Sequence, residues 1–192
     1  MPDPVPVRAN GEVLDISHIK GNASPLVKQT LGDLSAVFMS ERPKGATPMF
    51  GEAIQKRLKV TEISITPKPE DEKKKEAKLV VEVDVKEDML NGGGSIHGGC
   101  SAFLVDLCSA IALSALSLET KGELYPCISQ SINMIYHSPA GLGDKLRLFN
   151  TTLTLGARVH SARTEIWNVT HHRLVVSGTH IIMVPSPPKA KL

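Results

Sequence analysis

Aromatic residues make up only 4% of this 192-residue chain, which holds one tryptophan, two tyrosines and four phenylalanines. So few rings cannot supply the rows of stacking platforms that single-stranded nucleic acid needs. Charge of one sign is lacking too: 22 lysines and arginines face 20 acids, for a formal net charge of +2. No general basic field results, and nucleic acid is not implied as a partner. Local basic groups can still hold a small anion. Cysteine is scarce. Cys100, Cys108 and Cys127 show no framework spacing and read as reduced, mostly buried thiols of a reducing compartment. The start, MPDPVPVRANGEV, lacks the apolar stretch of a signal peptide and the Arg-rich, acid-poor pattern of a transit segment. A cytoplasmic location is expected, with a mitochondrial one left open. A single apolar run, Cys100 to Leu118, approaches membrane length, but Asp106 and several serines interrupt it. It reads as a buried helix, and no membrane span is expected.

The length suits one well-packed domain better than two. Residues 1–23 are rich in Pro, Gly, Asn and Asp and read as a flexible N-terminal tail. Ser24-Pro25 resembles a cap followed by proline at the first helical position. Leu26, Val27, Leu31, Leu34, Val37 and Phe38 then recur at helical spacing, which predicts a helix to about Met39 that stops near Arg42-Pro43. A shorter helical piece over 50–57 completes a helical extension, 24–57.

From Leu58 the period changes to two. Val60, Ile63 and Ile65 predict a strand ending before Pro67, and PKPEDEKKKEAK reads as a solvated, charged hairpin loop. Leu79, Val81, Val83 and Val85 alternate with Glu82, Asp84 and Lys86 in a half-buried strand. Beyond the apolar helix, strands are expected over 127–136, 145–155, 160–168 and 173–184, and Pro185, Pro187 and Pro188 then open a flexible C-terminal tail, 185–192. The main domain is therefore 58–184, of α+β class. Its lone long helix needs cover all round, which predicts a curved antiparallel sheet wrapped around it, with an edge and outer face left for dimerisation.

The chemistry gathers at NGGGSIHGGC, residues 91–100, which runs into SAFLVDLCSAIALSALSL. Gly98 and Gly99, after His97, fall at a helix entrance, where backbone amides lack intrahelical partners and attract negative charge. They suit a phosphate or the oxygen of a polarised carbonyl; a plain tight turn is the alternative. The spacing is not that of a P-loop. Asp106 is a lone carboxylate among apolar neighbours. Either it accepts hydrogen bonds from nearby serines, or it takes a proton from water or attacks as a nucleophile. His97 with Cys100 and Cys108 lacks the compact spacing of a zinc site, and no metal is expected. A thiol nucleophile beside His97 is a further alternative to buried structural cysteine. Eight residues separate Gly98 from Asp106, about 12 Å of helix, so one carbonyl cannot meet both in one chain. Two chains can supply one group each, which predicts paired, symmetry-related sites.

Asn91, Gly94, His97-Gly98-Gly99, Ala102, Leu104-Val105-Asp106 and the later NMIYHSPAGLGD resemble the hotdog-fold acyl-CoA thioesterases of the phenylacetate-degradation type. The likeness covers roughly residues 50–184. It implies a hotdog fold, dimers often joined into tetramers, and hydrolysis of an acyl-CoA with no cofactor beyond the substrate's own CoA. It also implies roles: Asp106 as base or nucleophile, Gly98 as oxyanion donor, and Asn91 and Ser129 placing the reacting groups. His97 becomes a hydrogen-bonding shaper of the site. Arg158, His160 and Arg163, around a turn, become candidates for the phosphates of CoA. An acyl-CoA dehydratase on the same fold and a non-catalytic acyl-CoA-binding module remain the alternatives.

Overall fold

The computed structural model describes residues 13–39, 43, 45–124 and 126–185. The outer parts of both expected tails, 1–12 and 186–192, and the expected helix stop at Arg42 lie outside the described residues. Six antiparallel strands form one sheet: β1 Lys59–Lys68, β2 Asp71–Asp84, β3 Ile128–Tyr136, β4 Lys145–Leu155, β5 Val159–Asn168 and β6 Arg173–Met183. Their order is β1-β2-β4-β5-β6-β3. Register is set by inward parity, because a slip of one residue would turn every apolar side chain to water. Val81 faces Leu148 across β2 and β4, and Ile166 faces Val176 across β5 and β6.

Helix α4, Gly98–Lys121, lies against this sheet. Leu104, Val105, Cys108, Ile111, Ala112, Ala115 and Leu116 are buried with Leu79, Val81, Leu146 and Leu148 in one core. By length and composition α4 could cross a membrane, yet most of its apolar window is buried inside the protein.

The sheet does not form the expected curved wrap. The sheet is an open one: β1 and β3 stand at its two edges and do not pair, so it neither closes nor curls around the helix. The cover that a lone helix demands comes partly from elsewhere. Helix α1, Pro25–Leu31, packs on α4, and the Ser24 amide donates to Glu119 near the far end of α4 across 3.1 Å. Phe50, just before the one-turn helix α3, Glu52–Gln55, meets Phe103 edge-on with ring centroids 5.3 Å apart. The remaining side of α4, around Ala102, Asp106 and Ala110, stays partly exposed.

Three local features differ from the pattern in the sequence. The first helix breaks at Gly32, and Asp33 accepts from the Ser35 and Ala36 amides to start α2, Leu34–Met39. A residue that caps a new helix ends the old one. Residues 13–23, expected to be loose, run beside β1: the Lys20 amide donates to Thr61 O, the Ile63 amide donates back to Lys20 O, and Ile19 and Ala23 are buried. The charged connector is mostly strand. β1 continues through Pro67, paired with Lys75, and only Pro69 and Glu70 remain between β1 and β2. Proline is tolerated there because β1 is an edge and needs no second ladder.

Candidate active site

The glycine stretch is held at both ends. Met89, closing the 3-10 turn Glu87–Met89, accepts from the His97 amide at 2.8 Å, and Ala140 accepts from the Ile96 amide at 2.8 Å. Asn91 Oδ1 accepts from the amides of Gly93 (2.9 Å) and Ser95 (3.3 Å), which folds the turn. Gly94 sits at φ +76°, where only glycine is free of strain. The side-chain Nδ2 of this exposed Asn91 remains a further donor at the turn.

His97 caps α4. Its Nδ1 accepts from the Gly99 amide at 2.8 Å, so in the neutral ring the proton is on Nε2, pointing away from the turn. The Gly98 N–H, at the first helical position, has no intrahelical acceptor. Tyr136 on β3 covers this end of the helix, its hydroxyl donating to Gly98 O at 3.1 Å.

Two turns along α4, Ser129 Oγ donates to Asp106 Oδ1 at 2.8 Å. Behind the carboxylate lies His180 of β6, fully buried, with Nε2 3.3 Å from the same oxygen but outside hydrogen-bond geometry. Its Nδ1 is 2.7 Å from Ser109 Oγ. The Ser109 hydroxyl has two acceptors in reach, Nδ1 at 2.7 Å and the Asp106 carbonyl at 3.3 Å; donated to the nearer Nδ1, it leaves the ring proton on Nε2, facing Asp106, whereas the other tautomer would aim a lone pair at a carboxylate. The first is favoured on electrostatic grounds. Burial pushes the His180 imidazole below its ordinary 6.5, against the upward pull of Asp106. The Asp106 side chain itself keeps 45% of its surface exposed, open to a water or a substrate. A half-exposed carboxylate, braced by a hydroxyl on one side and a buried ring behind, can accept a proton.

Asp106 with Ser129 and Gly98 with Tyr136 are thus two contacts between α4 and β3, eight residues apart along the helix. The structure brings Asp106 and Ser129 together within one chain, and His97, Gly98, Gly99 and Asn91 around the glycine turn. The phosphate candidates sit on and just before β5. Arg158 is exposed between β4 and β5, Arg163 pairs with Glu165 at 2.7 Å, and His160 is 2% exposed inside the sheet. A side chain buried like His160 cannot reach a solvated phosphate. Cys100 and Cys108 are poor nucleophiles, since burial pushes their thiols up to about 11 and about 12 respectively. Among the described residues, no group of three or more His, Cys, Asp or Glu is arranged to hold a metal ion. His180 is the site residue that motif spacing missed.

Residues 93–175 match the family model described as "Thioesterase superfamily". The acyl-coenzyme A thioesterase 13 of Mus musculus is 31% identical over 133 residues, which cover 69% of this chain and 83% of that protein. The crystal structure of thioesterase superfamily member 2 from Mus musculus superposes with a TM-score of 0.60 at 26% identity, covering 82% of this chain and 97% of that one. The zebra fish thioesterase superfamily member 2 shares the fold, with a TM-score of 0.60 at 24% identity over 83% of this chain and 96% of its own.

Proposed function

We propose, for a chain that belongs to the hotdog-fold thioesterase superfamily and is a thioester hydrolase, that it cleaves acyl-CoA by water activated at Asp106. Asp106 takes a proton from a water that Ser129 also holds. The water oxygen bonds to the thioester carbon, the C–S bond breaks, and the CoA thiolate leaves to be protonated. His180 lies behind the carboxylate, its Nε2 3.3 Å from Oδ1, without touching substrate. The Gly98 N–H receives the oxygen on which negative charge develops, with Asn91 Nδ2 and His97 Nε2 as neighbouring donors.

The base and the oxyanion donor of one reaction centre come from different chains. β3 is exposed along nearly its whole length and has one unpaired edge, with Ile128, Ile135 and Tyr136 all more than half exposed. Two copies pairing antiparallel about the midpoint Ile132 lay the Ser129 end of one strand against the Tyr136 end of the other. Asp106 of one chain then faces the partner's Gly98, which removes the obstacle of about 12 Å of intervening helix. Two such dimers form a tetramer. A reducing compartment, cytoplasm or mitochondrion, fits three unpaired thiols.

The 2.8 Å contact between Ser129 and a half-exposed Asp106 carries this reading. Its test is Asp106→Asn, assayed by thiol release from acyl-CoA alongside size-exclusion chromatography. Removal of a general base lowers kcat by about 10²–10⁴-fold while the oligomer is retained. Undiminished turnover in the variant overturns the assignment.

A further inference from the structure

Along β2, Ala77, Leu79, Val81 and Val83 turn inward and are buried in the core. The same parity carries Lys75 and Lys73, so two cations occupy positions that the alternation would give to apolar residues. Both are exposed. Between this end of the β1–β2 hairpin, the last turns of α4 and the turn after β4 opens a cavity of about 880 Å³. It lies within the size range of small-molecule sites, about 300–1,000 Å³.

Leu116, Leu153 and Leu155 give the cavity apolar lining, and Leu153 is 39% exposed. Five lysines line it against three acids. Two of the acids are engaged: Asp71 pairs with Lys74 at 3.5 Å, and Glu119 accepts from the Ser24 amide at 3.1 Å. Glu70, in the two-residue turn of the hairpin, is the remaining acid. Lys68 uses one of its three donors on Leu153 O at 2.7 Å. Among the described residues, the ammonium groups of Lys73 and Lys75 have no hydrogen-bond or ion-pair partner. Solvated lysines are ordinary on a surface. Two at inward parity, sharing one cavity with leucines, complement an anion that carries an apolar tail.

We propose that this cavity binds a free alkyl carboxylate, the class of molecule that a thioester hydrolase releases at each turnover. The proposal takes only the ligand's origin from that activity. The carboxylate accepts from Lys73 and Lys75, one oxygen for each free ammonium, and the chain lies on Leu116, Leu153 and Leu155. Exposed ion pairs add little affinity, so the chain supplies most of it, at about fourfold per buried methylene, while the lysines select for charge. The concavity suits one molecule rather than a bilayer surface. Leu116 stands ten residues beyond Asp106, about 15 Å along the helix, so an acid held here leaves the base free.

The test reads binding separately from turnover. Calorimetric titration of the intact protein with decanoate, hexanoate and decan-1-ol should find decanoate at least about tenfold tighter than hexanoate and about fivefold tighter than the alcohol. Lys73→Gln combined with Lys75→Gln, at two exposed positions, should abolish the preference over the alcohol and leave thiol release from acetyl-CoA unchanged. Decanoate should also shield Lys73 and Lys75, but not the exposed Lys59, from acetylation by acetic anhydride, read by peptide mass spectrometry. Equal binding of decanoate and decan-1-ol overturns the proposal. So does a preference for decanoate that survives the double substitution, which places the acid elsewhere. Shielding by CoA as strong as that by decanoate makes the lysines a phosphate site, and binding confined to phosphatidylglycerol vesicles makes them a membrane contact; either result overturns the proposal. Failure to release thiol from any acyl-CoA, with decanoate still shielding both lysines, defeats the hydrolase reading and leaves this site standing.

Discussion

Ser129 on the edge strand donates its hydroxyl proton to Asp106 on the central helix across 2.8 Å. A hydrogen bond to an ionised carboxylate is worth about 1.5–3 kcal/mol, which corresponds to a factor of about 10–100 in rate when it orients the attacking group. Ser129→Ala should lower kcat by that factor with little change in KM. Thiol-release kinetics check it, and a change confined to KM would place Ser129 in binding instead.

A site shared between chains has a signature in mixed oligomers. Gly98→Pro removes the N–H at a position where helices accept proline, and His97 already has the extended backbone that proline requires of its predecessor. Asp106→Asn and Gly98→Pro chains should each be nearly inactive alone. Unfolded and refolded together in equal amounts, they should recover about a quarter of normal activity, since half the dimers are mixed and each has one intact site. No recovery would mean that both groups act within one chain.

Two buried histidines make stability depend on pH. Burial lowers His180 below 6.5 against the pull of Asp106; burial first, and then the charge of Lys121, lowers His160. The unfolded chain therefore binds more protons than the folded one in the window just below about 6.5. This contribution is fully present above that value and is lost as pH falls through it toward the folded-state values. Tm should drop by several degrees between pH 8 and pH 5 in calorimetry, and His160→Leu should flatten the drop. Asp144, whose carboxyl stays below 3.8 because hydrogen bonds from Gly141 and Asn168 outweigh its burial, titrates only further into acid.

The thiols should separate by burial. Cys127 is exposed, while Cys100 and Cys108 are buried with thiols raised to about 11 and about 12. Iodoacetamide at pH 8 followed by peptide mass spectrometry should find modification at Cys127, with the other two labelled only after unfolding.

Much of this was written in the sequence in a form that simple periodicity reads. The Leu79–Val85 alternation gave a strand because one face is buried, and Asp106 stood out because a carboxylate among leucines requires an explanation. His180 did not stand out, although β6 carries a usable signal: Val176, Gly178, His180 and Ile182 share the buried face. His160 has the same parity with Ala162, Thr164 and Ile166, and counting by twos would have moved it from a turn to the interior. Gly32-Asp33 followed by Ser35 was a legible helix stop, overridden by apolar residues that happened to continue the spacing. The open sheet was not legible. Whether strands or an N-terminal segment cover a helix depends on contacts between residues far apart in the chain, such as Ser24 with Glu119, and no local pattern encodes them.

The outer edge of β3 has one more consequence. Among the described residues no strand pairs with that edge, and its row of amides and carbonyls is a template for any extended backbone, so in the proposed pairing a short synthetic strand with the sequence ISQSINMIY would take the place of the second copy. Such a peptide would work as an inhibitor that never approaches the reacting carbonyl, silencing two centres by capping a ladder. Its potency would weaken as enzyme concentration rises, because it competes with the protein itself.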